Sequence, residues 1–179
     1  MADELIVRRA ALADVAGIAR VHVQSWHATY PAILPAAEIE RHTLARRAGM
    51  WARLLDGTEA VVFVAARADA VLGFANTGPF RVGEGEGQSE GQSEGQGEGE
   101  LNALYLLPTV QRQGIGRSLF NAGANALREA GFGAMRCWVL HGNPAIAFYE
   151  RLGGERVASK TFSVEGATVA EHCYRFRLG

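Results

Sequence analysis

The sequence predicts a mixed α+β fold, a single sheet with helices packed on it, and three observations predict it. The chain has 179 residues with 48% hydrophobic and 21% charged content, which is the length and composition of one ordinary globular domain spanning 1–179. Strand-length apolar runs such as Ala60–Ala66, Val71–Thr77 and Met135–Leu140 stand apart from longer stretches with apolar residues at helical spacing. These segments follow the order β-α-α-β-β-β-α-β-α-β-β, whose three consecutive strands a purely parallel βαβ architecture does not contain.

Leu5-Ile6-Val7-Arg8 reads as the first strand. Asp14 is expected to cap a helix that buries Val15, Ile18, Ala19 and Val21 to Val23. A second helical region follows Pro35, with Ile39, Leu44, Met50, Trp51, Leu54 and Leu55 as its apolar set, and Asp56-Gly57 ends it. Ala60–Ala66 and Val71–Thr77 form an antiparallel pair around a tight turn at Arg67–Ala70. The central strand runs over Glu100–Leu107 and the major helix over Gly114–Gly131, with Ile115, Leu119, Phe120, Leu127 and Ala130 on one face. A strand at Met135–Leu140, a helix at Asn143–Leu152 and strands near Glu155–Ser163 and Val169–Leu178 complete the order.

Residues 83–100 are low complexity, built from Gly, Glu, Gln and Ser, with Gly-Gln-Ser-Glu twice in tandem. Such a composition has no apolar surface to bury, so a flexible acidic loop between two strands is expected. This tract holds six glutamates and no base; without those six charges the chain's net of −1 becomes +5. An excess of that size suits an anionic small molecule and does not form the basic stripe a nucleic acid needs. Cys137 and Cys173 sit in strand-like runs as buried free thiols, with no second Cys or His at metal-ligand spacing, so no metal is expected. No apolar run approaches the ~20 residues that span a bilayer. The acidic start, Met-Ala-Asp-Glu-Leu, lacks a signal region, and a cytoplasmic protein without a membrane partner is expected.

The most informative stretch is Leu104-Tyr105-Leu106-Leu107-Pro108 leading into Gln111-Arg112-Gln113-Gly114-Ile115-Gly116-Arg117-Ser118. A strand ends at a proline and a glycine pair opens a helix, whose unpaired first amides and positive dipole end suit a phosphate group. The glycine spacing fits neither a Walker loop nor a Rossmann fingerprint, since one residue separates the glycines, no Lys follows, and Leu119 stands where a third glycine would be. A second block, Asn143-Pro144 through Ala147, Phe148 and Tyr149 to Gly153-Gly154, begins with a residue expected to cap a helix and ends with a glycine pair.

With both blocks in this order, the chain resembles the GCN5-related N-acetyltransferase superfamily, specifically over Glu100–Val157. The resemblance implies a central, mostly antiparallel sheet, splayed where the strand at Leu104 parts from the strand at Met135, and flanked by helices. It implies acetyl-CoA as co-substrate and transfer of its acetyl group to an amine. Gln111, Arg112, Gln113, Gly114, Ile115, Gly116, Arg117 and Ser118 would then hold the pyrophosphate, the amides of Gln113–Ser118 donating to it. The backbone of Leu106 and Leu107 would pair with the pantetheine arm, and Asn143, Ala147 and Tyr149 would contribute from the second block. Tyr149 is the expected general acid, a phenol whose ordinary pKa of ~10 keeps it protonated beside a leaving thiolate. Glu100 is the expected general base, with His141 as the alternative. Trp26 and Tyr30 would wall the acceptor site and suit an acceptor with an apolar or cationic portion. The acceptor would be a small-molecule amine or a protein N-terminus; the sequence leaves the oligomeric state open, with a homodimer through the C-terminal strands implied by the resemblance as one option. The alternative is a non-catalytic coenzyme A sensor or interaction module of the same fold.

Overall fold

The structure is a computed structural model and describes residues 4–57, 60–80 and 97–179. Seven strands form one sheet: β1 (Leu5–Arg9), β2 (Val61–Arg67), β3 (Ala70–Pro79), β4 (Gly99–Leu106), β5 (Ala134–Leu140), β6 (Glu155–Val164) and β7 (Ala167–Arg177). Their spatial order is β1-β2-β3-β4-β5-β7-β6, and every neighbouring pair is antiparallel except β4–β5. The helices are α1 (Val15–Thr29), α2 (Ala36–Glu40), α3 (Leu44–Asp56), α4 (Ile115–Glu129) and α5 (Ile146–Arg151). The expected fold class and element order hold, with α2 added.

Each sheet face carries its own core. On one, Ile18, Ala19 and Val21 of α1 and Trp51 of α3 pack on Val62, Val64, Val71 and Phe74. On the other, Ile115, Leu119, Phe120 and Leu127 of α4 pack on Ala65, Ala75, Leu101, Met135 and Cys137. A third cluster, at one end, joins Tyr30, Leu34 and Ile39 to Val169, with Trp26, Tyr105, Leu140 and Phe162 against it. Both cysteines are buried and free.

Four expectations need correction. The helical region after Pro35 is two helices, because Thr43 starts α3 afresh by accepting the amide of Arg46 at 3.3 Å. Asp14 does not cap α1 with its side chain. Its carboxylate instead takes both Arg8 nitrogens, at 2.7 and 2.8 Å, and the Ala11 amide, and these bonds hold its pKa below the usual range. Asn143 does not cap α5, which begins three residues later with Ala145 at its N-cap. Finally, the end of the acidic tract is folded: β4 begins at Gly99, and the Glu98 carboxylate binds Arg136 at 2.5 Å and Arg175 at 2.8 Å. Residues 83–96, the rest of the expected flexible loop, lie outside the described residues.

Two features of β4 position the site. Thr77 pairs with Leu101 and Asn76 with Ala103, so Asn102 is a bulge. The bulge resets the alternation of side chains. Leu101, Leu104 and Leu106 join the α4-side core while Ala103 and Tyr105 face α1 and α3. The second feature is the parting from β5. The two strands pair only at Gly99–Met135 and Glu100–Arg136, so the sheet is splayed from Leu101 onward.

Candidate active site

The chain leaves β4 at Leu106, passes a 3₁₀ turn at Pro108–Val110, and exposes Gln111, Arg112, Gln113 and Gly114 before α4 begins. Arg112 and Gly114 both sit at positive φ, 65° and 83°, turning the chain back on itself. No side chain caps α4. Among the described residues the amides of Ile115, Gly116 and Arg117 have no hydrogen-bond acceptor, while that of Ser118 donates to the Gly114 carbonyl at 3.1 Å. The Ser118 hydroxyl lies 3.4 Å from the same carbonyl. Ser118 is therefore withdrawn from the set of expected amide donors. The Ile115 side chain is in the core, leaving its amide as the only polar group it presents.

The two glycines have different reasons to be glycine. A Cβ on Gly114 would meet nothing within 4 Å, so the constraint there is the backbone conformation, and the turn is open to an approaching group. A Cβ on Gly116 would lie 3.3 Å from Leu106 Cδ1 and 3.5 Å from Phe148 Cζ. The helix start is thus seated against the end of β4 and against α5. Exposed Arg112 and Arg117 flank it. Unpaired amides, an open left-handed turn and two guanidiniums fit a diphosphate.

Leu107 donates its amide to Leu72 of β3 at 2.9 Å. By the alternation of a strand, the polar groups of Leu106 point the other way, into the splay. Of the two residues expected to offer backbone there, Leu106 does and Leu107 does not. The Leu106 carbonyl already receives the hydroxyl of buried Ser25 at 2.8 Å, a residue the sequence had not marked.

Tyr149 is buried in the α4-side core, edge-on to Phe148 and Phe176, and its hydroxyl makes no hydrogen bond to a described residue. Burial pushes its pKa well above the ordinary value, with Cys137 and Tyr105 adding in the same direction. It stays a phenol at any physiological pH. Ala147 is exposed on α5. Asn143 is buried: its Oδ1 accepts the Ala145 amide at 2.8 Å, and its Nδ2 donates to the Tyr30 hydroxyl at 3.2 Å.

That hydroxyl belongs to a network the sequence did not reveal. Tyr30 Oη lies 3.2 Å from Tyr105 Oη, which accepts Trp26 Nε1 at 3.1 Å. The rings of Trp26 and Tyr30 are 4.4 Å apart and His22 stacks on Tyr105 at 5.1 Å. Trp26 and Tyr30 are thus brought together as expected. One face of Trp26, however, is stacked by His42 of the same chain at 3.4 Å, with Arg47 5.7 Å from the ring centre. The residues missed are Tyr105, Ser25, His22, His42 and Arg47. Burial raises the pKa of Tyr30 and Tyr105 and pushes His22 down to about 3, so the network is neutral.

Glu100 is half-buried at the closed end of the splay, in register with Arg136, and has contacts of its own. Its place beside Leu101 puts it on the face that carries Ala103 and Tyr105. Four residues, one of them the bulge at Asn102, lie between it and Tyr105, roughly 15 Å of strand. His141 is exposed and turned toward β7, where its Nδ1 meets His172 Nε2 at 3.2 Å. Among the described residues no three His, Cys, Asp or Glu converge on a metal-sized point, and no helix is long and apolar enough to cross a membrane.

Comparison with known proteins gives a consistent picture. The profile of the Acetyltransferase (GNAT) family matches residues 20–154. An uncharacterized N-acetyltransferase of Bacillus subtilis (strain 168), YuaI, is 41% identical over 167 residues, covering 92% of this chain and 88% of its own. The PaiA N-acetyltransferase of Thermoplasma acidophilum, solved in complex with coenzyme A, superposes with a TM-score of 0.69 at 18% identity, covering 97% of this chain and 99% of that one. YncA of Salmonella typhimurium, solved with its cofactor acetyl-CoA, superposes with a TM-score of 0.71 at 22% identity, covering 98% and 94%.

Proposed function

The chain belongs to the Acetyltransferase (GNAT) family, and we propose that it transfers the acetyl group of acetyl-CoA to a primary amine of a small molecule or a protein N-terminus, by direct attack in a ternary complex. One observation carries this reading: the α4 start, whose first amides are unpaired among the described residues, lies against the end of β4 and α5, beside a splay in the sheet and a buried phenol whose hydroxyl bonds to no described residue.

Acetyl-CoA, when bound, supplies the acetyl group as a thioester. The amides of Ile115, Gly116 and Arg117, with Gln113 and Gly114 in the exposed turn, bind the diphosphate, and Arg112 and Arg117 add charge. Gln111 shapes the entry to that turn. The Leu106 backbone orients the pantetheine arm as an added strand would, and Ser25 holds its carbonyl in place. Exposed Ala147 keeps the α5 wall low beside the arm. Tyr149 points its proton at the departing sulfur. Its pKa is raised above that of a thiol, ordinarily ~8.5, so it works by donating a hydrogen bond to the growing negative charge and not by surrendering the proton outright. Glu100, at its distance along β4, takes a proton from the bound ammonium through a chain of waters, and the free amine then attacks the thioester carbonyl. Tyr30, positioned by Asn143, and Trp26 hold the acceptor. A second copy of the chain would pair along β6, the edge strand of the sheet.

The test is a thiol-release assay with acetyl-CoA against an amine panel, beside equilibrium dialysis with coenzyme A. Uptake with thiol release from at least one amine is expected. Failure of uptake by folded protein overturns the cofactor site. Uptake without release from any amine makes the chain a coenzyme A sensor.

A further inference from the structure

One face of Trp26 carries a cation that makes no ion pair with a described residue. Arg47 of α3 places its guanidinium 5.7 Å from the ring centre. Its Nε is buried and has no hydrogen-bond partner. Its other nitrogens meet neutral groups, the Met50 sulfur at 3.3 Å and His42 Nδ1, which accepts from the guanidinium and leaves Nε2–H for Glu38. Burial lowers the proton affinity of both Arg47 and His42; the guanidinium stays charged and the imidazole is held neutral. The nearest carboxylate, Glu38, is committed elsewhere: Oε1 to His42 at 3.2 Å and Oε2 to Arg41 at 3.3 Å. Arg41 is paired a second time, with Glu165. Neighbouring Arg46 is exposed. Among the described residues, then, Arg47 is the cation of this wall that is both partly desolvated and unmatched by an anion, a costly arrangement unless something completes it.

The indole links Arg47 to the reacting region. Its Nε1 edge donates to Tyr105, and its face carries the guanidinium. We propose that Arg47 reads a carboxylate on the acceptor itself, so that the favoured substrates are small amines bearing a nearby carboxylate. The planar fork of a guanidinium matches a carboxylate in two parallel hydrogen bonds, and partial burial strengthens them. This rests on Trp26, Tyr30 and Tyr105 forming the acceptor wall, and it replaces the expectation of a cationic acceptor portion, because the protein already stacks its own cation there.

The test compares alanine, leucine and phenylalanine with their carboxamides in the thiol-release assay, for the unaltered protein and for Arg47→Met, Arg47→Lys and Arg46→Met. The expected kcat/KM favours the carboxylate member by about 10-fold or more. Arg47→Met brings that ratio near one, Arg47→Lys leaves an intermediate value, and Arg46→Met keeps it. Comparing ratios between proteins cancels the different basicities of the paired amines. Coenzyme A uptake shows whether each variant is folded. A ratio near one in the unaltered protein, or one unchanged by Arg47→Met, overturns the proposal. Should no amine release thiol, quenching of tryptophan fluorescence by the N-acetyl acids against the N-acetyl amides decides the matter. A preference for the acids that Arg47→Met abolishes supports the anion site even though the catalytic reading has failed, and no preference overturns it.

Discussion

The two ends of the candidate site are built from different materials. At the α4 start nearly everything presented is main chain: three amides without partners, two residues at positive φ, and a glycine allowing close approach. At the α1 end it is side chain: half-buried Trp26 and Tyr105 and buried Tyr30 and Asn143, joined by hydrogen bonds and neutral. Main-chain amides present a fixed array that suits one invariant group. Side chains drawn from α1, β4 and the turn before α5 can be exchanged singly, which suits a partner recognised by its own shape and charge. The lesson is that the two ends of one sheet can be altered independently.

Substitutions separate the two ends, and the largest effect is expected at the first. Gly116→Val pushes its branches into Leu106 and Phe148. Displacing the helix start should raise the Kd for coenzyme A by about 100-fold, near 3 kcal/mol, in equilibrium dialysis, with cooperative unfolding preserved. If affinity is unchanged, the ligand does not rest on these amides. Tyr149→Phe should lower kcat by about 10- to 100-fold while leaving that Kd within about 2-fold, since the hydroxyl acts only on the leaving group. Tyr30→Phe leaves Asn143 Nδ2 without its acceptor, and urea unfolding should show a loss of about 1–2 kcal/mol with a raised KM for the acceptor.

The smallest effect is a slope. His22 is neutral because burial, helped by Arg47 and His42, lowers its pKa from 6.5 to about 3, and its Nδ1 accepts Trp51 Nε1. The unfolded chain binds a proton that the folded one refuses, so this site's stability is full above pH 6.5 and lost as pH falls toward 3. His22→Gln, which keeps an acceptor, should unfold at pH 7 within about 1 kcal/mol of the original and lose this part of the acid slope. Urea midpoints across that range check it.

The same contrast explains what was legible in the sequence. The α4 start could be read because it is written locally, in Pro108, Gly114, Gly116 and the helical period after them. So could the pairing of β2 with β3 and the splay implied by the family resemblance. Asp14 and Asn143 are good capping residues whose side-chain oxygens are taken by other donors, the Arg8 guanidinium and the Ala145 amide, and no simple local pattern records such competition. Tyr105 looked like one more apolar member of its strand. Only the bulge at Asn102 turns it toward α1, and a bulge leaves no mark in the composition. Arg47 is one of two adjacent arginines in α3, and only the fold brings Trp26 beneath it.

One consequence follows from how the glutamate-rich tract is tied off. The amide of Phe80 meets the carbonyl of Glu98 at 2.8 Å, while the Glu98 carboxylate grips Arg136 and Arg175 and Arg136 rests over the Phe80 ring. Entry and exit of the intervening segment are stapled together at the sheet. Doubling such a segment costs only about 0.6 kcal/mol in closure entropy. A tract of another length, tied off at the same Phe80 and Glu98, would leave the register of β3 with β4 as it is.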